Sequence, residues 1–102
     1  MKKLVEIDPN ASRELQEFSK EIQARFLALF RILEKEGLLK EPFAKRLSDN
    51  LFEIRVKLKG QWRALYAYIG RSRIIILSAF NKKTQRTPIR ELEKAEKRLR
   101  RY

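Results

Sequence analysis

The residues whose types and spacing best suit chemistry in this chain are cations. Arg55 and Lys57 lie on the polar phase of an alternating stretch, and Arg63 follows Trp62 in the next one. Arg73 opens a third, and Lys82 and Lys83 stand just beyond it. Guanidinium forks and ammonium points of this kind bind phosphate and stabilise developing negative charge. A lysine among other cations also has its pKa pushed down, which makes it a candidate proton acceptor. Histidine and cysteine are both absent. The commonest general base, the commonest metal ligand and thiol chemistry go with them, so no metal site and no cofactor are expected. Glu53, Tyr66 and Tyr68 remain for proton transfer. Glu53 is expected as an exposed, charge-balancing carboxylate that could instead orient Arg55 or act as a base. Tyr66 and Phe80 could stack a nucleobase, although strand aromatics more commonly pack in a core.

The charge is unevenly placed. The chain has 102 residues and a net charge of +12. Residues 1–50 hold ten basic and nine acidic groups, and residues 51–102 hold fifteen and four. A polyanion is therefore expected to meet the second half. Lys57, Lys59, Arg86 and the Arg98, Arg100, Arg101 tail are the expected grips on an RNA backbone. The length suits one domain over residues 1–102. No apolar run is long enough to span a bilayer, no signal peptide is legible at Met1–Asp8, and a cytoplasmic location without membrane contact is expected.

The elements that position these cations centre on Leu51–Pro88. Leu51–Leu58 alternates, with Phe52, Ile54, Val56 and Leu58 on one side and Glu53, Arg55 and Lys57 on the other, as in a half-buried strand. Lys59-Gly60-Gln61 turns the chain into a strand reaching Ile69. Gly70-Arg71-Ser72 turns it again into Arg73–Phe80, apolar enough for a central strand. Before this meander, Lys3–Ile7 reads as a short strand. Asp8 caps and Pro9 opens one long helix to Glu36, with Leu15, Phe18, Ile22, Phe26, Leu29 and Leu33 as its stripe and Gly37 as its C-cap. Leu38–Leu47 reads as a short helix or an apolar loop over the sheet edge. After Pro88 a terminal helix follows, with Thr87 as a candidate cap and basic residues at its end. The fold class is α+β: an antiparallel sheet of about four strands, one face under the long helix, and a basic open face suited to RNA.

Three segments together carry a family resemblance: Leu51-Phe52-Glu53-Ile54-Arg55, Trp62-Arg63-Ala64-Leu65-Tyr66, and Phe80-Asn81-Lys82-Lys83-Thr84-Gln85 with Thr87-Pro88. In this order the chain resembles the HigB-like toxins of the phage-derived branch within the RelE/ParE superfamily. The resemblance implies a RelE-like fold and a type II toxin that cleaves messenger RNA in the ribosomal decoding site. It further implies a cognate HigA-like helix-turn-helix antitoxin, with operator DNA bound only through that antitoxin. By the same resemblance Arg55, Arg63, Lys82 and Lys83 are candidate catalytic residues. Arg73 joins them from its place at the start of its strand, and Lys82 is favoured over Lys83 because adjacent strand side chains cannot both point inward. The missing histidine departs from members that use it and leaves the general base and acid open. A ParE-type gyrase poison and a non-catalytic RNA-binding module are the alternatives.

Overall fold

A computed structural model describes residues 1–102. The elements run β1 (Leu4–Ile7), α1 (Pro9–Gln16), α2 (Lys20–Glu36), β2 (Ala44–Ser48), β3 (Leu51–Lys57), β4 (Gln61–Ile69), β5 (Arg73–Asn81) and α3 (Ile89–Leu99). The strands form one five-stranded sheet in the order β1-β5-β4-β3-β2. β3, β4 and β5 make the expected antiparallel meander, and β1 adds to β5 in parallel.

Two elements differ from the sequence expectation. The long helix is two helices. α1 closes with tightened bonds from the Glu17 and Phe18 N–H groups to the Glu14 and Leu15 carbonyls. Ser19 then caps α2, its Oγ accepting from the Ile22 N–H at 3.2 Å. The hydroxyl competes with the backbone for that donor, which is why serine starts helices rather than continuing them. The second difference is Leu38–Leu47, which makes no helix. It turns at Glu41–Phe43 and enters β2, the fifth strand, paired antiparallel to β3. At the other boundaries Asp8 caps α1 through the Asn10 N–H at 2.8 Å, and Gly37 ends α2 at φ 79°.

α1 and α2 cover one sheet face. Phe26, Phe30 and Leu33 pack there on Ile54, Tyr66, Ile74 and Ile76. The opposite face is not wholly open, because α3 lies across half of it and buries Leu51, Leu65, Ala67, Ile75 and Leu77 with Ala95. β4 and β5 are therefore buried on both sides, which accounts for the near-continuous apolar run in β5. Each buried Leu, Ile or Phe side chain contributes roughly 1.5–3 kcal/mol by leaving water.

A bulge in β5 sets what the uncovered half displays. Leu65 faces Ser78 while Tyr66 faces Ile76, so Leu77 is an extra residue on β5. Before the bulge, Ile74 and Ile76 point at α1 and α2. After it, Ala79 does so and Phe80 turns to the α3 side. The phase reversal carries the end of β5, including Lys82, onto the same face as Glu53 and Arg63.

Candidate active site

Glu53 is the centre of the cluster that this face displays. It stands on β3 opposite Leu65 of β4 and Lys45 of β2, and it is 1% exposed. Arg55 Nε approaches its Oε1 at 3.3 Å and Arg63 Nε at 3.4 Å. The Thr87 hydroxyl donates to Oε2, tying the loop after β5 down onto the sheet. Arg55 and Arg63 are register partners across β3 and β4. Two cations directly opposite repel, and the carboxylate between them is what makes the pairing tolerable.

Arg63 is 5% exposed. Its Nη2 donates to Gln61 Oε1 at 2.7 Å and its Nη1 to the Trp62 carbonyl at 3.1 Å. Its Nε makes no well-aligned hydrogen bond, so the 3.4 Å approach to Glu53 is chiefly a charge contact. Burial lowers the Arg63 pKa; the Glu53 charge opposes that and the Arg55 charge adds to it. The guanidinium is nevertheless cationic, as arginine is throughout proteins.

Lys82 completes the cluster. Its N–H donates to the Gln61 carbonyl at 2.6 Å, extending the β4–β5 ladder one step past Asn81. The side chain is half-buried, and Lys83 next to it is exposed. Burial pulls the Lys82 ammonium below its usual pKa. Glu53 acts against this, while Arg63, Arg55 and Lys45 reinforce it. One carboxylate thus serves Arg55, Arg63 and Lys82, which leaves a partly desolvated excess of positive charge. An anion supplies what the cluster lacks. Lys57, Lys59 and Arg86 are exposed around it. Beside it, a groove of about 950 Å³ runs between α2 and the β3–β4 end, sharing Arg55 and Arg63.

The remaining sequence candidates lie elsewhere. Arg73 is at the opposite end of β5, where Nε and Nη2 both hold the Glu6 carboxylate at 2.9 Å. That salt bridge joins β1 to the sheet and keeps Arg73 away from the cluster. Arg98 is not a free grip on RNA. Its two Nη atoms hold Glu14 at 2.9 and 3.0 Å, and Nη1 also donates to the Leu77 carbonyl at 2.8 Å, locking α3 to α1 and β5. Arg101 approaches Asp8 at 3.5 Å, and Arg100 is exposed at the end of α3. Tyr66 is 1% exposed on the face beneath the helices, stacked on Phe52 at 5.2 Å, and burial raises its pKa. Phe80 is 9% exposed and packs with the residues under α3. Neither ring is available to a base. Glu53 is likewise corrected from an exposed carboxylate to a buried one, and Thr87 from a helix cap to its hydrogen-bond donor; α3 starts at Pro88 without a side-chain cap. Lys45 and Gln61 were missed, since only β2 and the strand register bring them here.

The β1 edge of the sheet is closed by a second buried carboxylate. Tyr102 Oη donates to Asp8 Oδ2 at 2.6 Å, and Asp8 is 1% exposed. Burial works to raise the Asp8 pKa. The Tyr102 hydroxyl, the Asn10 N–H and the Arg101 and Arg98 charges outweigh it and hold the carboxyl below its usual range. A carboxylate held low in the native state contributes stability above its unfolded pKa, and loses it as pH falls through the folded pKa. Tyr102→Phe is therefore expected to cost about 1–2 kcal/mol at neutral pH. In urea titrations the deficit should shrink on acidification below the usual carboxylate range.

Comparison with known proteins places this geometry. The family profile described as Phage derived protein Gp49-like (DUF891) matches residues 13–100. Among solved structures, the chain is similar to a variant of the E. coli toxin RelE in the free state, with TM-score 0.75 and 14% identity. That match covers 97% of this chain and 99% of the other. An archaeal RelE–RelB complex from Pyrococcus horikoshii OT3 contains a chain 28% identical, with TM-score 0.63, covering 79% of this chain and 96% of that one. A chain of the toxin–antitoxin complex RelBE2 from Mycobacterium tuberculosis is 23% identical, with TM-score 0.62 and coverage of 80% and 100%. No curated protein matches. The architecture is that of RelE, an α+β fold with N-terminal helices, a mainly antiparallel sheet and a C-terminal helix. No helix is long and apolar enough to cross a membrane.

Proposed function

We propose that this chain, which belongs to the Gp49-like family of phage-derived proteins, is a type II toxin of the RelE/ParE superfamily. On this reading it lies in the HigB-like branch and is a cytoplasmic endoribonuclease of one domain that cuts translated messenger RNA on the ribosome. The observation that carries the reading is the buried Glu53 carboxylate holding Arg55 and Arg63 side by side, with half-buried Lys82 beside them.

The reaction such a cluster suits uses the RNA's own nucleophile. The 2′-hydroxyl oxygen attacks the adjacent phosphorus, a P–O2′ bond forms and the P–O5′ bond breaks. The products are a 2′,3′-cyclic phosphate and a 5′-hydroxyl, the departing 5′-oxygen taking its proton from water. Arg55 and Arg63 stabilise the extra charge on the non-bridging oxygens, Arg55 held by Glu53 and Arg63 oriented by Gln61 and the Trp62 carbonyl. Lys82 in its neutral form takes the 2′-hydroxyl proton; its lowered pKa makes that form accessible nearer neutral pH. Glu53 is engaged by two guanidiniums and Thr87, so it positions rather than takes a proton. Lys57, Lys59, Lys83 and Arg86 extend the positive surface along the RNA backbone. A HigA-like antitoxin with a helix-turn-helix domain is the expected partner. It would silence the site by covering the cluster with acidic groups, and would carry the pair to operator DNA.

Brief induction in cells followed by primer extension tests this. The expected result is growth arrest with defined cuts inside translated codons. Arrest with intact transcripts and altered plasmid supercoiling would overturn it in favour of a gyrase poison.

A further inference from the structure

We infer that the groove beside the cluster is a nucleobase subsite, and that Phe43 is its stacking surface. This rests on the nuclease reading above and specifies where the substrate's base lies. The groove, of about 950 Å³, is continuous with the phosphate-binding cluster, because Arg55 and Arg63 line both. Its other wall is different in kind: Ala24 and Ala28 of α2 leave room, and Leu29 and Phe43 supply apolar surface. A phosphate needs only the first wall. A whole nucleotide needs both, a cationic one for its charge and an apolar one for its base.

Phe43 is unusually placed for an aromatic residue. It is 52% exposed, whereas Phe26 is fully buried and Phe80 9% exposed. Its carbonyl accepts the Arg55 N–H at 2.8 Å, which fixes its backbone directly beside that of Arg55. The two backbones are thus spaced like neighbouring strands, about 4.8 Å apart, which is within the span of one nucleotide. Charge points to the same occupant. Arg25, Arg55, Lys57 and Arg63 line the groove against Glu21, with Glu53 behind Arg55 and Arg63, a remaining surplus that favours a polyanion threading past rather than an uncharged ligand.

Fluorescence anisotropy on the purified chain tests the inference, using a labelled RNA hexamer with 2′-O-methyl groups to block cleavage. Its abasic counterparts lack one base at each position in turn. The wild type should lose roughly tenfold in affinity when one particular base is removed, the scale of one stacked base. Phe43→Ala should bind the intact hexamer about tenfold more weakly and no longer distinguish the abasic form. Phe43→Tyr should behave as the wild type. Since Phe43 is half exposed, thermal melts of both variants should match.

Abasic discrimination that persists in Phe43→Ala would overturn the subsite. So would unchanged RNA binding by Phe43→Ala with weakened capture of a glutamate-rich peptide, which would make the groove a protein-docking surface. Arg63→Gln separates the two readings. Binding that depends on Arg63 yet ignores the bases defeats only the subsite, and binding indifferent to Arg63 defeats the phosphate site itself.

Discussion

Arg63→Gln and Lys82→Arg should each lower ribosome-stimulated messenger cleavage by about 10²–10³-fold, for different reasons that kinetics can separate. Arg63 is held by Glu53, Gln61 and the Trp62 carbonyl, so its donors are already oriented before substrate arrives. Glutamine keeps part of the hydrogen bonding and none of the charge. The transition state, where the phosphate carries most charge, should suffer more than the ground state, so kcat should fall by more than RNA binding weakens. Lys82→Arg keeps a cation and should retain RNA affinity. A guanidinium cannot deprotonate near neutrality, so proton transfer is lost. On this mechanism the wild-type pH–rate profile should have a rising limb set by a lysine whose pKa burial and neighbouring cations have lowered. That limb should be absent from the residual activity of Lys82→Arg. Single-turnover rates across pH check both variants.

The second large effect concerns stability. Glu53→Gln should destabilise the fold by about 3–5 kcal/mol, because it strips the counter-charge from a buried guanidinium. An exposed carboxylate with the same sequence neighbours would be worth no more than about 1 kcal/mol, so the size of the loss distinguishes the two cases. Arg63 is 5% exposed and Glu53 1%, and Lys82 and Arg55 add to the unbalanced charge. Adding Arg63→Gln to Glu53→Gln should recover much of the deficit, because the orphaned buried cation is then gone. Guanidinium chloride midpoints for the two single variants and the pair make a double-mutant cycle, with a coupling well beyond additivity. Total domain stability is typically 5–15 kcal/mol, so the single variant should also accumulate poorly in cells.

The meander was legible because β3 alternates and glycines mark the turns, and the helix ends at Asp8-Pro9 and Gly37 were legible from their caps. The break at Ser19 was hidden. Leu15, Phe18 and Ile22 keep a three- and four-residue spacing straight through it, and periodicity cannot register a kink that preserves the stripe. β2 was hidden because only Ala44 of Ala44–Ser48 is buried, so this edge strand has no apolar alternation to read. The site suffered most from the β5 bulge. A near-continuous apolar run such as Ile74–Ala79 carries little phase information, so the facing of Phe80 and Lys82 could not be fixed. Arg55 and Arg63 could be chosen from their types and strand phase. Arg98 could not be set aside, since its partner Glu14 lies 84 positions away and a basic helix end looks solvated in the sequence. Glu53 was misjudged for a related reason. Alternation placed it on the polar phase, and only α3 and the Thr87 loop turn part of that phase into interior.

The chemistry at the cut ends decides most directly whether this cluster drives attack by the 2′-hydroxyl. Messenger fragments from induced cells should be mapped and their termini typed, beside an Arg55→Ala, Lys82→Ala double variant. Upstream fragments bearing 2′,3′-cyclic phosphate, downstream fragments bearing 5′-hydroxyl, and neither in the double variant are the expected outcome. Upstream 3′-hydroxyl ends, or the same cuts persisting in the double variant, would contradict it.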